Sequence, residues 1–148
     1  MTESLIEGDK MNEVPINHCL EIGTGCGYQT YILSLFSKKV TSVERIEPLQ
    51  DKAKETLKNL GVRNVTFKID DGNNLGRLKY DAILSAAAPL SVPSTLKERL
   101  AVGGRLILPV GDSQRQVLTL INRIDNDSYE EKRLEDVLFV PLLKGIVS

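Results

Sequence analysis

Short apolar runs alternate with amphipathic helical patterns along this chain. They predict an α/β fold: a mostly parallel twisted sheet with helices on both faces, closed by a C-terminal antiparallel hairpin. Three observations carry that reading. An apolar run ending at Ile22 breaks into glycines at alternate positions, Gly23, Gly25 and Gly27, and a helical pattern follows. Strand, glycine turn and helix in that order build a shelf at the carboxyl end of a first strand. Strand-like and helix-like segments then succeed each other as far as Val110. Beyond it, two long β patterns, Gln114 to Asp125 and Tyr129 to Leu142, flank the turn residues Asn126, Asp127 and Ser128.

Taken in order, Met1 to Glu7 reads as a pair of helical turns with Leu5 and Ile6 inward, ended by Gly8 and Asp9. Asn17 to Ile22 is the first, central strand. Tyr28 to Lys38 is a helix whose buried side holds Ile32, Leu33, Leu35 and Phe36. Val40 to Glu44 is the second strand. Pro48 in a first-turn position opens the next helix, with Glu47 and Asp51 suited to its positive end. Leu49, Ala53, Leu57 and Leu60 keep helical spacing until Gly61 stops it. Asn64 to Ile69 alternates as a third strand and leads into the loop Asp70 to Asn74. Tyr80 to Ser85 is a fourth strand. Pro93, then Thr95 and Glu98 in capping-box spacing, opens a short helix that Gly103 and Gly104 end. Arg105 to Val110 is the fifth strand.

A chain of 148 residues reads as one domain, 1–148, with a single core. With 41% hydrophobic and 26% charged residues it is ordinary for a globular protein, which excludes wholesale disorder. A formal charge of −1 gives no reason to expect a nucleic-acid surface. The two cysteines, Cys19 and Cys26, make no disulfide framework and fit a reducing cytosol. The N-terminus has no basic region followed by an apolar run, and no stretch approaches membrane-spanning length, so a cytoplasmic protein without a membrane partner is expected.

The glycine spacing narrows the ligand. A dinucleotide fingerprint reads G-x-G-x-x-G and seats a pyrophosphate at the helix N-terminus. Here the third glycine comes one position early, and no Lys follows as in a P-loop. The pattern suits a ligand that has a ribose but no phosphates, and S-adenosylmethionine is one. Glu44 ends the second strand 21 residues after Gly23, where a nucleotide-binding unit places a carboxylate for ribose hydroxyls. A tight turn with no ligand remains an alternative at this point. So does a nucleotide-binding oxidoreductase, against which the early third glycine argues.

Leu20-Glu-Ile-Gly-Thr-Gly-Cys-Gly-Tyr-Gln-Thr30 followed by Ser42-Val-Glu-Arg-Ile-Glu47 resembles the protein-L-isoaspartate O-methyltransferase family. The resemblance continues through Asp71-Gly72, Tyr80 to Ile83, Ala86 to Pro89, Gly103 to Gly111 and Phe139-Val-Pro-Leu142, nearly the whole chain. It implies a Rossmann-like S-adenosylmethionine methyltransferase fold. The implied activity is methyl transfer from S-adenosylmethionine to the isoaspartyl carboxylate of damaged proteins by a monomer. Glu21 then looks like the acid that orients the glycine loop near the methionine end of the cofactor. Glu44 would accept from the ribose hydroxyls, with a solvated strand-end acid as the plain reading. Asp71 would accept from the adenine amino group, with Gly72 leaving room for the ring, or else would make an Asx-turn. Arg45 and Ile46 would flank the adenine, Ile46 serving equally as core. Asp70 stands where the family usually has Gly.

Other residues take plain readings. His18 is a polar residue at a strand start, Cys19 core, Cys26 a small filler where the family usually has Ser, and Lys52, Lys54 and Lys58 a solvated helix face. No metal ligands are expected. Ala86 to Pro89, Pro109 to Gly111 and Phe139 to Leu142 resemble the family's walls around the peptide cleft. The family carries a Ser-Gln-Pro-Tyr-type motif in a segment preceding the first strand, over the cofactor. That motif is absent from this sequence. On this reading residues 1–15 are the remnant of the N-terminal helical segment, no catalytic residue is assigned, and a non-catalytic cofactor-binding remnant of the family is the alternative.

Overall fold

The computed structural model describes residues 16–72 and 75–147. The helical turns expected before Gly8 and the tip of the Asp70–Asn74 loop lie outside the described residues. Nine strands and three helices follow each other there: β1 Ile16–Ile22, α1 Tyr28–Phe36, β2 Ser37–Glu44, α2 Glu47–Asn59, β3 Val65–Ile69, β4 Tyr80–Ser85, β5 Ala87–Ala88, α3 Ser94–Glu98, β6 Leu100–Gly111, β7 Gln116–Arg123, β8 Tyr129–Val137 and β9 Val140–Pro141. The main sheet runs β3-β2-β1-β4-β6-β7-β8. Its first five strands are parallel, and β7 is antiparallel to both β6 and β8. The parallel α/β sheet with a C-terminal hairpin is therefore observed.

Period-two alternation sorts the apolar side chains onto two faces. Cys19, Val40, Ala82, Leu84, Ile107, Leu118 and Leu120 pack with Leu33 of α1 on one. Leu20, Ile22, Val43, Ile83, Leu106, Leu108 and Ile121 pack with Leu96 of α3 on the other. Helix α2 ends in a Schellman motif: Gly61 N–H reaches Lys58 O and Val62 N–H reaches Leu57 O, both at 3.0 Å, with Gly61 at φ +79°.

Several expectations are corrected. Helix α1 buries Thr30 and Leu33, while Leu35 is 63% and Phe36 43% exposed. At 3.6 residues per turn Leu35 stands about 200° from Leu33, on the far side of so short a helix. The helix stops at Phe36 rather than Lys38, because the Asn64 side chain donates to the carbonyls of Ser34 and Ser37, both at 2.9 Å, and the chain goes straight into β2. On α2 the buried positions are Gln50, Ala53 and Leu57, and Leu60 is exposed. Gln50 earns burial by donating to Lys68 O at 2.8 Å, which ties α2 to β3.

No capping box forms at Thr95 and Glu98, since Pro93 is the N-cap and no side chain caps it. Gly103 and Gly104 do not end α3. They lie inside β6, where the β4–β6 register shifts between Tyr80 and Ala82. Gly103 sits at φ +84°, and a Cβ on Gly104 would come 2.8 Å from Ala101 O. The pair is a bulge, not a stop. Finally, the long C-terminal β pattern breaks after Val137. The Gln116 amide replaces a ladder partner: it accepts from Phe139 N–H at 2.7 Å and donates to Phe139 O at 3.0 Å. The chain then leaves the main sheet, and β9 pairs in parallel with β5.

Replacing Ile83, fully buried at the centre of the sheet, by Ala should lower unfolding free energy by about 2–5 kcal/mol. A reduced urea midpoint with an unchanged denaturant slope is the expected signature.

Candidate functional site

Strand β1 lies between β2 and β4, and the chain leaves it toward β2, so a crevice opens at the carboxyl ends where connections diverge. A cleft of about 520 Å³ occupies that place. Such a volume suits a small-molecule ligand. Its walls bring together Gly23, Gly25, Glu44, Arg45, Ile46 and Asp71, six of the nine residues singled out from sequence, together with Asp70, Leu49, Ala86, Ala87 and Val140 to Leu143. Glu21, Gly27 and Gly72 are not among the lining residues.

The glycine turn shows why each glycine stands where it does. Gly25 has φ +55° and nothing within 4 Å of where a Cβ would be, so bare backbone faces open space. Gly27 is the N-cap of α1 at φ +89°, and a Cβ there would meet Ala53 Cβ at 3.2 Å. It therefore serves the α1–α2 contact rather than the cleft. Gly72 is similar. A Cβ on it would press on Ile22 Cγ2 at 3.3 Å, so the space it leaves is filled by β1.

Glu44 is 7% exposed at the end of β2. Its Oε1 accepts Gly25 N–H and its Oε2 accepts Ile46 N–H, each at 3.0 Å. A carboxylate offers about four acceptor sites, so these bonds fix its plane and leave capacity for two further donors from the cleft. Among the described residues an Asx-turn is made by its neighbour: Asp70 Oδ1 accepts Gly72 N–H at 2.9 Å. Asp71 Oδ2 accepts Gly145 N–H at 3.0 Å.

Glu21 lies beneath the turn, fully buried. Its Oε1 accepts the hydroxyls of Thr30 and Ser42, the latter at 2.6 Å, and Ser42 Oγ in turn lies 2.7 Å from Thr24 Oγ1 in the glycine loop. Its Oε2 is buried with no hydrogen-bond partner among the described residues. Burial pushes the carboxyl up from its ordinary 4.5 to about 7, against the lowering effect of the Ser42 and Thr30 bonds, with the charge of Glu44 adding to the rise. The acid that the resemblance places near the methionine end of the cofactor thus lies beneath the turn and reaches the loop through Ser42 and Thr24. His18 is far from the cleft in the fold, at the other end of β1, bonded through its ring to Thr41 Oγ1 at 2.8 Å.

Sequence reasoning missed part of this site. Leu49 read as helix core because its spacing matches Ala53 and Leu57. Phe139 to Leu142 resembled a peptide wall, and Val140 to Leu143 line this cleft. Gly145 and Val147 carried no signal, since nothing periodic marks residues that pair one by one with a distant turn.

The sequence profile of the Protein-L-isoaspartate(D-aspartate) O-methyltransferase family matches residues 7–146. Among curated relatives, the protein-L-isoaspartate O-methyltransferase of Alcanivorax borkumensis is 45% identical over 149 aligned residues, covering 99% of this chain and 65% of that protein. That of Saccharophagus degradans is 53% identical over 131, covering 86% and 58%. This chain therefore spans 58–65% of the length of these two relatives. A crystal structure from Plasmodium falciparum, assigned as a protein-L-isoaspartate O-methyltransferase and in complex with S-adenosyl-L-homocysteine, has a TM-score of 0.76 at 26% identity. It covers 86% of this chain, and 66% of that one is covered.

Glu21 gives the site a pH signature. With a folded-state pKa above the unfolded one, the folded chain holds a proton that the unfolded chain releases between 4.5 and about 7. That contribution is complete below the lower value and is lost as pH rises through the upper one. Without ligand, stability should fall across this window by up to about 3 kcal/mol. Glu21→Gln, with no proton to lose, should flatten that part of the profile in urea unfolding at about pH 5 and about pH 8.

Proposed function

The chain belongs to the protein-L-isoaspartate O-methyltransferase family, and from that premise we propose that it transfers a methyl group from S-adenosylmethionine to the carboxylate of isoaspartyl residues in damaged proteins. The observation that carries the cofactor reading is the Glu44 carboxylate, buried, held by two backbone amides and lining the cleft beside the bare backbone of Gly25. Those residues fit an adenosyl group: an acceptor pair for vicinal hydroxyls, an apolar flank in Ile46 and Leu49, and an acceptor for an amino group in Asp71.

S-adenosylmethionine supplies, when bound, a methyl group activated on a sulfonium. The accepting carboxylate, with an ordinary pKa of about 3.9, is already ionised at neutral pH, so the chain need not provide a general base. What its residues provide is alignment and exclusion of water. Glu44 and the turn at Gly23 and Gly25 fix the sugar; Arg45, Ile46, Asp71 and, by packing, Gly72 fix the base; Gly27 and Glu21 hold the turn from outside and below. Ala86, Ala87, Val140, Pro141 and Leu142 make an apolar wall on the opposite side, suited to a peptide and to keeping water away. The methyl ester so formed cyclises to a succinimide as the next backbone nitrogen attacks the ester carbonyl and methanol leaves, and water can reopen the ring to aspartate.

We further infer a cytoplasmic monomer acting on proteins. Two unpaired cysteines, Cys26 exposed, support a reducing compartment. Among the described residues no helix is long and apolar enough to cross a membrane. The exposed edge strand β8 carries Glu130, Glu131, Lys132 and Arg133, charges that oppose edge-to-edge pairing. One domain over 1–148 is part of the same reading.

Incubation with methyl-labelled S-adenosylmethionine should place label on an isoaspartyl peptide and not on its aspartyl isomer. Binding without transfer would reduce the chain to a cofactor-binding module. Glu44→Gln should weaken S-adenosyl-L-homocysteine binding about 10–100-fold in calorimetric titration, the loss of a charge-assisted hydrogen-bond pair.

A further inference from the structure

Residues 143–147 run along the turn after β2. Val147 N–H donates to Arg45 O at 2.6 Å, and Glu47 N–H donates to Val147 O at 2.8 Å. Between these and the apolar wall, the Gly145 peptide is gripped at both ends. Its N–H donates to Asp71 Oδ2 at 3.0 Å, and its carbonyl accepts from Arg45 Nη1 at 3.3 Å. Gly145 has φ +90° with nothing within 4 Å of a Cβ position, so the glycine is there for its backbone angle and not for want of space. That left-handed bend lets one residue meet an acid and a guanidinium that both line the cleft.

We propose that Gly145 is a positioning residue for base recognition: its N–H sets the Asp71 carboxylate so that the chain selects adenosyl over inosyl ligands. The proposal rests on the cofactor reading given above. An ionised carboxylate only accepts hydrogen bonds. The 6-amino group of adenine is a donor, while hypoxanthine presents an oxygen there that repels the acid. A site built to bond one group discriminates strongly against an analogue without it, provided the partner is held in place. The neighbouring Asp70 fixes the loop backbone through Gly72 N–H. The side chain of Asp71 itself accepts the Gly145 N–H from the C-terminal segment. The tail belongs to neither hydrophobic cluster beyond Leu142, so shortening it leaves the core whole.

The test is calorimetric titration of the intact chain and of a chain ending at Lys144 with S-adenosyl-L-homocysteine and S-inosyl-L-homocysteine. A thermal melt of each chain verifies that it is folded. The intact chain should prefer the adenosyl ligand about 10–100-fold. In the shortened chain that ratio should fall to about threefold or less, through loss of adenosyl affinity with inosyl affinity nearly unchanged. Gly145→Ala, which keeps the N–H but strains its angle, should fall between the two. Equal weakening of both ligands would make the tail a mere wall and overturn the proposal, as would an unchanged ratio. Failure of the intact chain to bind either ligand is a different result and removes the cofactor reading itself.

Discussion

Glu44 between two backbone amides is the constraint from which the rest of the site follows. Gly25 N–H comes from the turn after β1 and Ile46 N–H from the turn after β2, so one carboxylate staples the exits of two adjacent parallel strands. Parallel strands have no hairpin to fix their ends, and their exits diverge at the switch point. The staple holds them together while the carboxylate itself remains on the cleft wall. The same carboxylate thus joins the two exits and faces the cleft; the solvated strand-end acid of the plain reading is not what the fold makes of it, since Glu44 is buried.

Two acids on adjacent strands are placed in opposite surroundings. Glu44 meets backbone donors at the rim. Glu21 sits on the inward side of β1, where hydroxyls alone reach it and one oxygen has no partner among the described residues. The chain Thr24, Ser42, Glu21, Thr30 joins the glycine loop, β2, β1 and α1 in one polar thread through an apolar layer. A partly satisfied buried network is costly. Its position under the turn ties that cost to the shape of the loop above.

The strands and the glycine turn were legible because period two and a three-glycine break are local signals. The helices were less so. On α1 and α2 the sequence offers more apolar residues than one face can bury, and only packing decides that Thr30 and Gln50 go in while Leu35 and Leu60 stay out. The pair Gly103-Gly104 reads as a helix stop because glycine is punctuation in any sequence. That it is a bulge depends on the carbonyl of Ala101 and the register with β4. Glu44 could be found by spacing and Asp71 through the family resemblance, whereas Gly145, which donates to Asp71, lies 74 residues away in a segment without pattern.

The Asp71-Gly72 step has one more consequence. Spontaneous ageing of a polypeptide at such a dipeptide begins when the glycine nitrogen attacks the preceding aspartyl carboxyl. Here the hydrogen on that nitrogen is bonded to Asp70, and the carboxyl it would attack is turned toward Gly145. The fold thereby keeps nucleophile and electrophile apart at the very kind of linkage whose lesion the family corrects, and exposes the chain to self-inflicted damage chiefly when it is unfolded.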